Sequence, residues 1–168
     1  RVVAAIIVVT SAPALDTVVL AMQALYNLSC LPTVLVDMAD TGATRALVAA
    51  VDAAVGELGE DGLPERAGAS ADKDSRAESI LRLASAAACN MARADGAACA
   101  ERLISGGVLV ALVRALWRTC RADTAQVAIH ALANLSAYAP GLDAMSEAGV
   151  VAVATRRAVA AVRGNEDA

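Results

Sequence analysis

Phenylalanine is absent from this 168-residue chain, and its aromatic residues are Trp117, Tyr26 and Tyr138. A β-sandwich or barrel would use more aromatic residues and threonine, so this composition argues against one. Histidine occurs once, as His130, and lysine once, as Lys73. One histidine, with no C-x-x-C among Cys30, Cys89, Cys99 and Cys120, completes no zinc-finger set, so no metal and no cofactor is expected. The sequence contains no P-loop, no G-x-G-x-x-G and no H-E-x-x-H. No Ser-His-Asp or Cys-His spacing stands out, so no catalytic residue is assigned and the chain reads as non-enzymatic. A basic footprint is also missing: the net charge is −4, which speaks against a nucleic-acid partner.

What the chain does have is alanine, at 43 positions, with leucine and valine making up most of the rest of its 58% hydrophobic content. Alanine and leucine are the strongest helix formers, so an all-α fold with closely approaching helices is expected. Charge is unevenly spread. Residues 56–78 hold seven acids against three bases, which accounts for the whole net charge. Within that stretch, about 56–74 contains Gly56, Gly59, Gly62, Gly68 and Pro64 and few large apolar residues, so it reads as a disordered loop. The alternative is a partner-docking or phosphorylated loop, with Ser70 and Ser75 as acceptors. The four cysteines read as free buried thiols of a reducing compartment. Thr17 to Val36 is an uncharged run of 20 residues, about the length that spans a bilayer. It contains Gln23, Asn27, Ser29 and Pro32, and its middle recurs later beside charges, so no membrane span is expected. No signal-peptide layout follows Arg1.

The recurrence is an internal repeat. Ala21–Ser29, Ala84–Ala92 and Ala128–Ser136 align without gaps on A-x-x-A-[LA]-x-N-[LM]-[SA]. Gly42, Gly107 and Gly149 follow Asn27, Asn90 and Asn134 by 15, 17 and 15 residues, and an apolar run follows each glycine. The period is about 42–44 residues, with one copy carrying an insertion of about 21.

A-x-x-A-L-x-N-L-S followed by E-A-G-V-V (Glu147–Val151) resembles the armadillo repeat. The resemblance implies a right-handed α-solenoid, each unit a short helix followed by two longer ones. Read onto this chain, the units are a partial repeat at 1–31, a repeat at 32–92 carrying the insertion, a repeat at 93–137, and a partial repeat at 138–168. First helices fall at about 32–41, 94–105 and 140–147; second helices at 43–55, 107–120 and 149–162; third helices at 14–29, 75–92 and 123–137. Residues 1–10 read as the tail of a further second helix. Terminal repeats need polar caps; neither end has one, so an excerpt of a longer array is expected. Glycine suits the turn between first and second helices because it tolerates positive φ. Asp16 and Asp123 are placed to cap third helices, and Trp117 is expected to be buried.

In the resembling family, third helices line a groove whose asparagines bond the backbone of an extended peptide. Carried over residue by residue, that ladder is Asn27, Asn90 and Asn134, with Gln23, Ala86 and His130 one turn back and Val19, Arg82 and Gln126 two turns back. An amide both donates and accepts, which suits backbone recognition. The competing and compatible reading is that each asparagine caps backbone locally. Import adaptors of the family carry tryptophan one turn before the ladder. Here Gln23, Ala86 and His130 stand there, so lysine-rich import signals are not the expected cargo. The implied role is a scaffold or structural subunit that holds other proteins, as an extended peptide or within a large complex. A cytoplasmic location is expected, with a ciliary or axonemal assembly as one home. The alternatives are a regulatory array beside an enzyme domain, as in ubiquitin ligases, and a nuclear transport adaptor.

Overall fold

The computed structural model describes residues 14–58, 71–93, 97–153 and 155. Every regular element among them is helical. The elements are α1 (Leu15–Ser29), a 3-10 turn (Pro32–Val34), α2 (Leu35–Asp40), α3 (Ala43–Glu57), α4 (Ala71–Ala92), α5 (Ala97–Ser105), α6 (Val108–Arg118), α7 (Ala122–Ser136) and α8 (Ala139–Glu147). Helical backbone resumes at 150–153. The proposed helix at 1–10, Ser70 and most of the expected acidic loop lie outside the described residues.

Local chemistry sets the breaks. Gly42, Gly107 and Gly149 have φ of 92°, 82° and 70°, the left-handed region that side chains with a Cβ disfavour. Each follows a short helix and opens the next, Gly42 and Gly107 opening the longer α3 and α6. Pro32 and Pro140 stand in the first turn of their helices, where no intrahelical donor is needed.

Three elements depart from expectation. α4 starts at Ala71, inside the stretch read as a loop, and Leu58 is buried at the end of α3. The first short helix opens as a 3-10 turn and gives only six residues of α-helix. No side chain caps α1; Asp16 instead pairs with Arg76 of α4 at 2.6 Å.

Packing follows a regular order. α1 lies against α4, and α4 against α7. α3 packs on α4 and α6, and α6 on α7, forming a second row. The short helices make a third row, α2 on α5 and α5 on α8. Alanine makes the close approach: Ala84, Ala87, Ala128 and Ala131 are all fully buried. Leucine and methionine fill the spaces between, with Met22, Leu25, Met38, Leu103, Leu116 and Leu135 each under 2% exposed. Burying one such side chain contributes about 1.5–3 kcal/mol. Trp117 is 41% exposed, contrary to expectation. It shares an outward stripe of α6 with exposed Val110 and Arg114, while Leu109, Leu112, Val113 and Leu116 face inward.

Candidate functional site

The three asparagines stand on three neighbouring helices, near the same end of each. Asn90 Nδ2 donates to Ser29 Oγ at 3.0 Å and reaches Cys30 Sγ at 3.6 Å, crossing from α4 to the end of α1. Asn134 Nδ2 donates to Cys89 Sγ at 3.3 Å and to the Cys89 carbonyl at 3.5 Å, crossing from α7 to the end of α4. These amides therefore tie each helix to the one before it, instead of capping their own. Asn27 accepts a bond from Gln23 Nε2 at 3.0 Å. Among the described residues nothing donates to the Asn90 or Asn134 amide oxygens. Ser29 is turned toward Asn90 by donating its own proton to the Tyr26 carbonyl at 2.7 Å.

The remaining candidates lie along the same face. Gln23, Arg82, Gln126 and His130 are exposed, and Val19 and Ala86 are half-buried. Spacing of four residues keeps them on one stripe of each helix. Two hollows open along α1 and α4, the larger one at their C-terminal ends and walled also by the 3-10 turn and α2. The larger, of about 580 Å³, is lined by Ser29, Cys30, Pro32, Leu35, Val36, Asn90 and Arg93. The smaller, of about 300 Å³, is lined by Asp16, Val19, Leu20, Ser75, Arg76 and Ser79. Arg82 and Arg93 make no ion pair among the described residues. The larger hollow thus combines an amide, a thiol and a guanidinium with an aliphatic wall. Repeat alignment found Asn90 but not its partners. For Ser29 the signal available was the small residue two places after each asparagine (Ser29, Ala92 and Ser136); Cys89, one place before Asn90, carried no such signal.

A second polar cluster escaped the sequence entirely. Glu78 is 4% exposed within α4. Its carboxylate accepts from Thr119 Oγ1 at 2.6 Å, from the Cys120 backbone N–H at 2.8 Å, and from the Cys120 thiol at 3.3 Å. It therefore closes the turn between α6 and α7. Cys120 and Cys30 are exposed, against the expectation of buried thiols; Cys99 is buried and Cys89 half-buried. Burial, and then the Glu78 carboxylate, push the Cys120 thiol up from its ordinary value. Burial raises Cys89 and Cys99 as well. Asp123 is held below the usual carboxylate range, chiefly by its hydrogen bonds from Arg121 at 3.0 and 3.1 Å.

Among the described residues no three His, Cys, Asp or Glu side chains are grouped so as to hold a metal ion. No single helix among them is long and apolar enough to cross a membrane; α1 and the Pro32–Asp40 segment meet at 107°. Compared with family models, curated proteins and solved structures, the chain matches none.

Proposed function

We propose that this chain is a non-catalytic, armadillo-like helical scaffold whose asparagine-bearing face holds an extended segment of another protein. One observation carries the reading. Asn90 and Asn134, aligned by sequence, each donate to the end of the preceding helix, to Ser29 in one case and Cys89 in the other, and among the described residues nothing donates to their amide oxygens. The ordered contacts α1–α4–α7, α3–α6 and α2–α5–α8 are what a stack of three-helix units would give. So are the three glycines of positive φ. Such acceptors, flanked by Gln23, Gln126 and His130, suit backbone N–H groups better than a reacting centre.

Selection of binders from a displayed library of random linear peptides tests this. Enriched peptides are expected to lose about tenfold in affinity on Asn90→Ala, the worth of one well-placed hydrogen bond of about 1.4 kcal/mol. Asn90 also ties α4 to α1, so Ala86→Glu serves as a second variant. It blocks the face one turn away and leaves the tie in place. Peptides indifferent to both substitutions, or a footprint on the outward faces of α3 and α6, would remove the proposal.

A further inference from the structure

The α7–α8 edge repeats, position by position, surfaces that are covered earlier in the chain. On the asparagine frame, Ile129 stands where Met22 and Ser85 stand. Both of those are 0% exposed, whereas Ile129 is 41% exposed. On the glycine frame, Leu142 stands where Leu35 and Ala100 stand, and its exposure is 57% against 5% and 1%. Val151 stands where Thr44 and Leu109 stand, and its exposure is 74% against 6% and 1%. Thr44 shows what does the covering. Its Cγ2 lies so near Gly106 that a Cβ there would come within 2.1 Å, so the α5–α6 junction sits on it.

Charge continues the same pattern. Asp16–Arg76 crosses the junction between the units at 1–31 and 32–92, and Asp40–Arg102 and Asp52–Arg114 cross that between the units at 32–92 and 93–137. Each time the earlier unit brings the acid and the later unit the arginine. At the open edge Glu147 ends α8 as Asp40 ends α2, and it is exposed with no ion pair among the described residues. Asp123 occupies the place of Asp16, although Arg121 now holds it.

On the unit reading given above, we propose that this edge docks one more three-helix unit. The occupant brings an arginine opposite Glu147 and a residue without a side chain opposite Val151, around the apolar positions Ile129 and Leu142. A second copy of this chain fits less well. It would bring Asp37 to the place that Arg102 holds, setting two acids together.

The test extends the full 168-residue chain, after residue 168, with a duplicate of residues 71–121, which contains Arg102 and Gly106. The extended protein is expected to melt in one transition, several degrees above the original chain. Ile129→Glu and Leu142→Glu should each lower that temperature and leave the unextended chain unchanged. Glu147→Arg should weaken the gain, and reversing the duplicate's Arg102 to Glu should restore it. A separate, lower transition for the added unit would overturn the proposal. So would melting indifferent to Ile129→Glu. Concentration-dependent self-association of the unextended chain, abolished by Ile129→Glu, would overturn it in favour of a second copy. Failure here with peptide binding intact removes the edge and keeps the asparagine face; failure of both removes the unit reading itself.

Discussion

Glu78 ties the middle of α4 to a turn more than 40 residues away, and it does so as a buried carboxylate with three donors on it. Removing it takes the Glu78 carboxylate away from the Thr119 hydroxyl and the Cys120 amide, at a cost of about 1–3 kcal/mol for Glu78→Ala. The same contact governs thiol chemistry. Cys120 is exposed, yet its thiol is raised by burial and by Glu78, so less of the reactive thiolate is present at neutral pH. Alkylation of Cys120 is expected to be slower than that of the unfolded chain at pH 7.5, with the difference narrowing as pH rises through the raised value. Glu78→Gln should speed the reaction; mass-spectrometric rates at this one cysteine decide it. Nothing in the sequence marked Glu78 out. It belongs to a stretch rich in acids, and only the arrival of the α6–α7 turn makes it a buried acceptor.

Helix boundaries depend on shorter-range causes and were correspondingly legible. Glycines with positive φ, prolines in first turns and alanine-rich interiors are local, and the expected long helices agree with α1, α3, α4, α6 and α7 to within a few residues. Gly106 is different from its neighbour Gly107. Gly107 is required by its own backbone, with φ of 82° and open space where a Cβ would stand. Gly106 is required by another element, since a Cβ would come within 2.1 Å of Thr44 Cγ2 and 2.8 Å of the Arg102 carbonyl. Gly106→Ala is therefore expected to destabilise by overpacking, about 1–3 kcal/mol by thermal melting. Thr44→Ser, which deletes the Cγ2 methyl, should recover part of the loss. Equal loss in both backgrounds would mean the two elements do not press on each other there.

Across the molecule, alanine decides how near the long helices lie. Ala131 is 0% exposed on α7, which packs on both α4 and α6. Ala131→Leu is expected to cost about 1–3 kcal/mol, because the added carbons must push whole helices apart. An unchanged melting temperature would place Ala131 off that contact. Composition by itself determined the helical class, since alanine and leucine favour helix wherever they stand and the aromatics of a β core are missing. Repetition of the asparagine and glycine frames determined which residues share a face, because helical periodicity carries position into direction. Only the tertiary structure decided exposure and partnership. It buried Glu78, turned Trp117 outward, spent one amide hydrogen-bonding group of Asn90 and Asn134 on tying helices together, and left Ile129 uncovered where Met22 and Ser85 are enclosed. The reason is physical: propensity and periodicity act within a few residues, whereas burial and hydrogen bonding depend on what packs against a side chain from elsewhere in the chain.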